Sequence, residues 1–185
     1  HPHPESRLFV SFAIDSGSES FREVDAELIG MLPALKIKPL SWVGQSLTVF
    51  LDDGFFWKAM AQSQSGEIGM ENLGQLPLGI RVESSSSIKL ALFMGALKGL
   101  AETSSPDLLR WETRKHGKRS YVAVIGNGDD IGTEITLYYA ALPTALLLSL
   151  DEEILKRAID REARAGELDL AGLPEAEHAY GRSSP

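Results

Sequence analysis

The 185 residues include 43% apolar side chains, enough for a substantial core, and 24% charged ones, ordinary for a globular protein. A net charge of −8 argues against broad binding to nucleic acid, whose phosphate backbone needs a basic surface. The absence of cysteine excludes disulfides, thiolate zinc sites and a cysteine nucleophile.

Residues 1–7 hold two prolines and no periodicity, and are expected to form an N-terminal arm. Leu8 to Ile14 is rich in strand formers. After the turn residues Asp15 to Ser20, Phe21, Val24, Leu28 and Met31 recur at helical spacing and predict one apolar helix face, which Pro33 ends. Trp42 to Leu51 reads as a strand or a hairpin bent at Gly44, with a short helix over 55–62 after it. The polar, glycine-bearing stretch 63–75 is the natural linker. Leu78 to Val82 is a strand, and Ser84 to Ser87 offer caps for a helix over 88–102. Apolar on most faces, that helix is expected to be the most buried one, with another backbone approaching Gly95 and Gly99.

Leu109 to Ile125 predicts a hairpin. A two-residue turn at His116-Gly117 would pair Lys115 with Lys118 and Trp111 with Val122. Leu109, Trp111, Val122 and Val124 then face the core, and Arg110, Glu112, Arg114, Arg119 and Tyr121 face away. The loop 127–132 leads to a second hairpin, 135–142 with 145–150, around Pro143-Thr144. The run from Ile135 to Leu150 is uncharged but broken by Pro143, and falls short of the roughly 20 apolar residues a spanning helix needs. A capping box at Ser149 to Glu152 opens the last helix, and Gly166 is its natural stop. Residues 166–185 read as an acidic tail or linker. Beginning at His1 without a methionine, the chain is expected to be a piece of a longer protein, so any membrane contact would run through a segment outside it.

The stretches 47–62 and 146–161 share a grammar of strand, acid and helix. Leu47 aligns with Leu146, Leu51 with Leu150, Asp52 with Asp151 and Lys58 with Arg157. The expected fold is therefore α+β: two related strand-helix-strand-helix units, 8–62 and 76–165, forming mostly antiparallel sheet with helices packed on it.

Sites are sparse. Asp52-Asp53 and Asp151-Glu152-Glu153 suit helix caps better than acid/base or metal chemistry. Asn127, Asp129, Asp130 and Glu134 offer hard oxygens, but not at the spacing of a calcium loop. The glycines of 126–132 do not match a dinucleotide fingerprint. His116 is the one histidine within the fold and is expected to be solvated at its turn. No catalytic residue, metal ligand or cofactor is assigned. Phe55-Phe56-Trp57 and Tyr138-Tyr139 belong to the core more readily than to a ligand pocket. Arg110, Arg114, Lys115, Lys118 and Arg119 concentrate basic charge on an acidic chain. Of these, Arg114, Lys115, Lys118 and Arg119 are the candidate contacts for an anionic partner, on a tip expected to project into solvent.

The series Trp42-Val-Gly, Phe50-Leu-Asp-Asp-Gly-Phe-Phe-Trp57, Leu76-Pro-Leu78, Trp111-Glu-Thr113, Tyr121 and Leu137-Tyr-Tyr-Ala140 resembles a group of large, uncharacterised bacterial proteins that often carry a signal or anchor segment. They contain repeated α+β modules in which a strand ending in Asp leads into a short helix. The resemblance covers most of 8–162 and implies an extracytoplasmic module of a larger chain. It brings no catalytic residues. The leading expectation is a non-catalytic structural or protein-association module, its partner another protein or other domains of the same chain. The alternatives are a binding domain for an apolar or anionic ligand, and a hydrolase with a carboxylate or metal site built from Asp52, Asp129, Asp130 and Glu134.

Overall fold

The computed structural model describes residues 6–52, 77–104, 106, 108–126 and 135–170, with side chains between residues 8 and 165. In chain order the elements are β1 Ser6–Ala13, α1 Glu19–Met31, β2 Val43–Asp52, β3 Leu78–Ser84, α2 Ser87–Ser104, β4 Leu109–His116, β5 Arg119–Gly126, β6 Ile135–Ala141, β7 Ala145–Ser149 and α3 Glu152–Leu170. The strands form one sheet in the order β1-β2-β3-β7-β6-β5-β4. Every neighbouring pair is antiparallel. The fold is α+β with helices on an antiparallel sheet, as the hairpin signals predict. The helix expected over 55–62, the linker 63–75, the loop 127–132 and the tail beyond 170 lie outside the described residues.

Among the described residues the stretch 8–62 contributes β1, α1 and β2, whereas 76–165 departs from the expected strand-helix-strand-helix pattern, with β3 and α2 followed by four strands before α3. In each, the first strand pairs antiparallel with the last, β1 with β2 and β3 with β7. β2 and β7 flank β3, and Leu47 and Leu146 both lie opposite Val82. The residues aligned between the units thus sit at one level of the sheet. A continuous sheet joins the units through β2 and β3.

Each face has its own core. On one, Leu28, Leu32, Leu90, Phe93 and Leu97 pack with Trp111, Val122, Val124, Tyr139, Leu146 and Leu148. On the other, Ile154, Leu155, Ala158 and Ile159 of α3 pack on Phe50, Tyr121, Ala140 and Leu147. β7, apolar on both faces, lies between the two layers. Gly79 of β3 makes room for Phe50: a Cβ there would overlap the Phe50 ring.

Several local expectations are corrected. α3, not α2, is the most buried helix. Ile154, Leu155, Ala158, Ile159 and Arg161 of α3 are buried, whereas α2 buries Leu90 and Phe93 and exposes Ile88 and Leu92. An evenly apolar helix has no sharply defined face, so composition alone overstates how deep it sits. Among the described residues nothing lies within 4 Å of a Cβ placed on Gly95 or Gly99, so no backbone approaches them. Val24 and Met31 of α1 are exposed. α1 opens at Ser18, whose hydroxyl accepts from the Phe21 N–H at 3.3 Å, and ends before Pro33 as expected.

The β4–β5 turn is Gly117-Lys118, with His116 opposite Arg119 and Trp111 opposite Val124. Gly117 takes φ 56, the left-handed conformation the turn requires and glycine tolerates. The register moves by two residues from the expected one, an even shift, so every side chain keeps its predicted face. Helix α3 continues past Gly166 to Leu170. A helical glycine costs only about 1 kcal/mol against alanine.

Candidate functional site

The basic hairpin divides in two. Lys115, Lys118 and Arg119 are exposed, and none of them makes an ion pair among the described residues. Arg114 does not project: it donates to Glu152 of α3 at 3.1 Å and to Glu112 at 2.7 Å, and packs over the Tyr138 ring at 5.8 Å. The face expected to point to solvent is the face that α3 covers, so Tyr121 is buried and its hydroxyl donates to Glu152. His116 is likewise no free turn histidine, because its Nε2 meets both oxygens of Asp160 at 2.9 and 3.0 Å.

These contacts form one flank of α3. Burial by itself would raise the Glu152 carboxyl. The Tyr121 hydroxyl, Arg114 and Lys156 outweigh that and hold it below its usual range. Burial foremost, and then Glu152, raises the Tyr121 phenol. The hydrogen bond from Arg114 lowers Glu112. Along the rest of the helix, Glu162 receives Arg81 of β3 and the Thr144 hydroxyl, and Arg157 and Arg161 reach Asp52 at the end of β2. An apolar stripe with charged contacts on both sides fastens the helix to the sheet.

Among the described residues, the carboxylates proposed for acid/base or metal work are committed elsewhere. Asp52 is fully buried and bound by two arginines. Asp129, Asp130 and Glu134 lie outside the described residues. Asp151 is the N-cap of α3, its Oδ1 accepting from Glu153 N at 2.8 Å and Ile154 N at 3.1 Å. The structural reading of that acid holds. The expected capping box does not: Ser149 instead accepts from Asp151 N and donates to Leu78 O. Of the aromatic candidates, Tyr139 is buried edge-on to Trp111 and Tyr138 is half-buried. Phe55, Phe56 and Trp57 lie outside the described residues.

Two apolar surfaces remain uncovered among the described residues. One is a groove of about 460 Å³ between the end of α1 and α2, lined by Leu32, Pro33, Gly95, Gly99 and Leu100 among others. The other is the β1 end of the sheet. Every residue from Leu8 to Ala13 is exposed. Leu8, Phe9, Val10 and Phe12 keep 54%, 41%, 42% and 53% of their surface in solvent, on a strand with no neighbour on its outer side among the described residues. Leu8, Val10 and Phe12 share a face with Leu47, Val49, Leu51 and Ile80, by the registers of β1 with β2 and β2 with β3. Sequence reading did not single this surface out. Its signal is present: Leu8 to Ile14 is apolar at every position but Ser11, the composition of a strand buried on both faces. Its position at the edge emerges only from the strand order.

No family model matches this chain, and no curated protein and no solved structure matches it either.

Proposed function

We propose that this chain is a non-catalytic protein-association module of a larger bacterial extracytoplasmic protein. The observation that carries the reading is β1, an apolar edge strand exposed on both faces. Soluble proteins protect such edges with lysine, proline, bulges or a covering element, because unpaired N–H and C=O groups recruit another chain. Burying a side chain of the size of Leu8, Phe9, Val10 or Phe12 contributes roughly 1.5–3 kcal/mol when complete. With about half of each exposed, the surface offers on the order of 4 kcal/mol, before any backbone pairing. The setting in a larger extracytoplasmic chain is supported by the motif resemblance.

A photo-activatable cross-linking amino acid placed at Phe12 of the full-length chain, in the cell that makes it, tests the reading. It should yield discrete protein adducts on illumination, and the same group at exposed Glu23 should not. Equal labelling at the two positions, or no adduct at Phe12, overturns association through β1.

The exposed tip supports a second reading. Lys115, Lys118 and Arg119, placed together on an acidic chain, suit contact with an anionic ligand or partner.

A further inference from the structure

We infer that the partner of β1 is a second copy of this chain, added edge to edge so that two β1 strands pair antiparallel about a two-fold axis at Val10. The inference rests on the association reading above and names the partner of that surface. The Ile14 N–H donates to Gln45 O at 2.8 Å. Antiparallel ladders alternate, so Phe12 and Val10 also bond toward β2, and the N–H and C=O groups of Phe9, Ser11 and Ala13 point away from the sheet.

Two outward-facing edges can then join in register. Phe9 of one copy lies opposite Ser11 of the other, which forms two hydrogen-bonded pairs around the axis. Val10 meets Val10 in the closer, non-bonded pair between them. On the face that β1 shares with Leu47 and Val49, Leu8 lies opposite Phe12 and Val10 opposite its copy, so apolar residues meet apolar residues there. About this axis Leu8 meets Phe12 and Phe12 meets Leu8, the reciprocal pairing of an isologous interface. No charged residue lies between Leu8 and Ile14. On a chain of net charge −8, the segment from Leu8 to Phe12 therefore meets its copy without like-charge repulsion across the axis, and Arg7, the charged residue of β1, falls opposite Ala13. The opposite edge, β4, is unsuited to the same pairing, because Arg110, Glu112, Arg114 and Lys115 charge it.

The absence of cysteine makes the register directly testable. In the non-bonded antiparallel pair the Cα atoms lie about 4.5 Å apart, within the roughly 4.4–6.8 Å that a disulfide spans. Residues one diagonal away, as Ser11 and its copy would be, lie about 7–8 Å apart. Two differently tagged preparations of the full-length Val10→Cys protein are mixed and oxidised under mild conditions, in parallel with Ser11→Cys. The expected result is a disulfide-linked dimer carrying both tags for Val10→Cys, with at least tenfold less for Ser11→Cys. Val10→Lys should sediment as a monomer, with melting unchanged, at concentrations where the parent is a dimer. A dominant Ser11→Cys dimer overturns the register. A parent that sediments as a monomer, while the cross-linker at Phe12 captures a different protein, overturns self-pairing and leaves the association reading standing. A monomeric parent with no cross-linked product overturns both.

Discussion

Asp52 closes β2 as a fully buried carboxylate, and its two arginines come from one face of α3, a turn apart. Arg161 also lies over the Phe50 ring at 5.2 Å, so the same guanidinium serves the ion pair and the packing of β2. Burying charge is tolerated only when it is paired, and removing one partner leaves the other uncompensated. Asp52→Asn should therefore cost about 3–5 kcal/mol. At roughly 2–4 °C per kcal/mol for a chain of this size, that lowers the melting midpoint by about 10 °C. Lys156→Ala, which breaks contacts with half-buried Glu152 and exposed Glu153, should cost less, about 1 kcal/mol. Thermal melts of both variants check the ranking, and equal losses would show that the Asp52 pair is no stronger than a surface one.

Helix α3 is held by its flanks as much as by its stripe, and one flank is sensitive to pH. Glu152 accepts from Tyr121 and Arg114, with Lys156 at 3.6 Å. Its carboxyl is held below the usual 4.5 in the folded state. A depressed folded value means that the stabilisation is complete above 4.5 and drains away as pH falls through the lowered value. Tyr121 acts at the other end: a raised phenol favours the neutral form, so its contribution is lost as pH climbs above 10.0. Glu152→Gln should be less stable than the parent at neutral pH and should lose less on acidification below pH 4.5. Melting midpoints of the two proteins measured from pH 7 downward test this. Parallel curves would show that Glu152 is not the titrating group.

Charge is unevenly spread over the whole molecule. The chain carries −8 in net charge, yet Lys115, Lys118 and Arg119 gather at the far end of the sheet from β1. If the tip meets an anionic surface, attraction should weaken as salt rises, since the screening length is about 10 Å at 0.1 M. The Lys115→Glu, Lys118→Glu double variant should melt like the parent and lose most of its binding to anionic vesicles or acidic polymers. Equal binding by parent and variant, or none by either, would leave a solvated turn. Arg114 is kept out of this test, because its ties to Glu112 and Glu152 make it part of the α3 anchor.

Local signals determined much of the fold. Alternation and turn residues marked the β4–β5 and β6–β7 hairpins, and hairpins impose antiparallel pairing. The likeness of 47–51 to 146–150 marked two strands that occupy one level on either side of β3. Even the misplaced turn at Gly117 kept each side chain on its face, because face depends only on parity. What the tertiary structure decided is everything that depends on which elements become neighbours. Arg114, His116 and Tyr121 looked free until α3 lay across their face of the sheet. Asp52 looked like a helix cap until arginines more than a hundred positions along the chain reached it. β1 has the composition of an internal strand and stands at the edge. Hydrophobic pattern is written along the chain, whereas strand order is settled by contacts between distant segments, and those contacts placed β1 at the edge of the sheet.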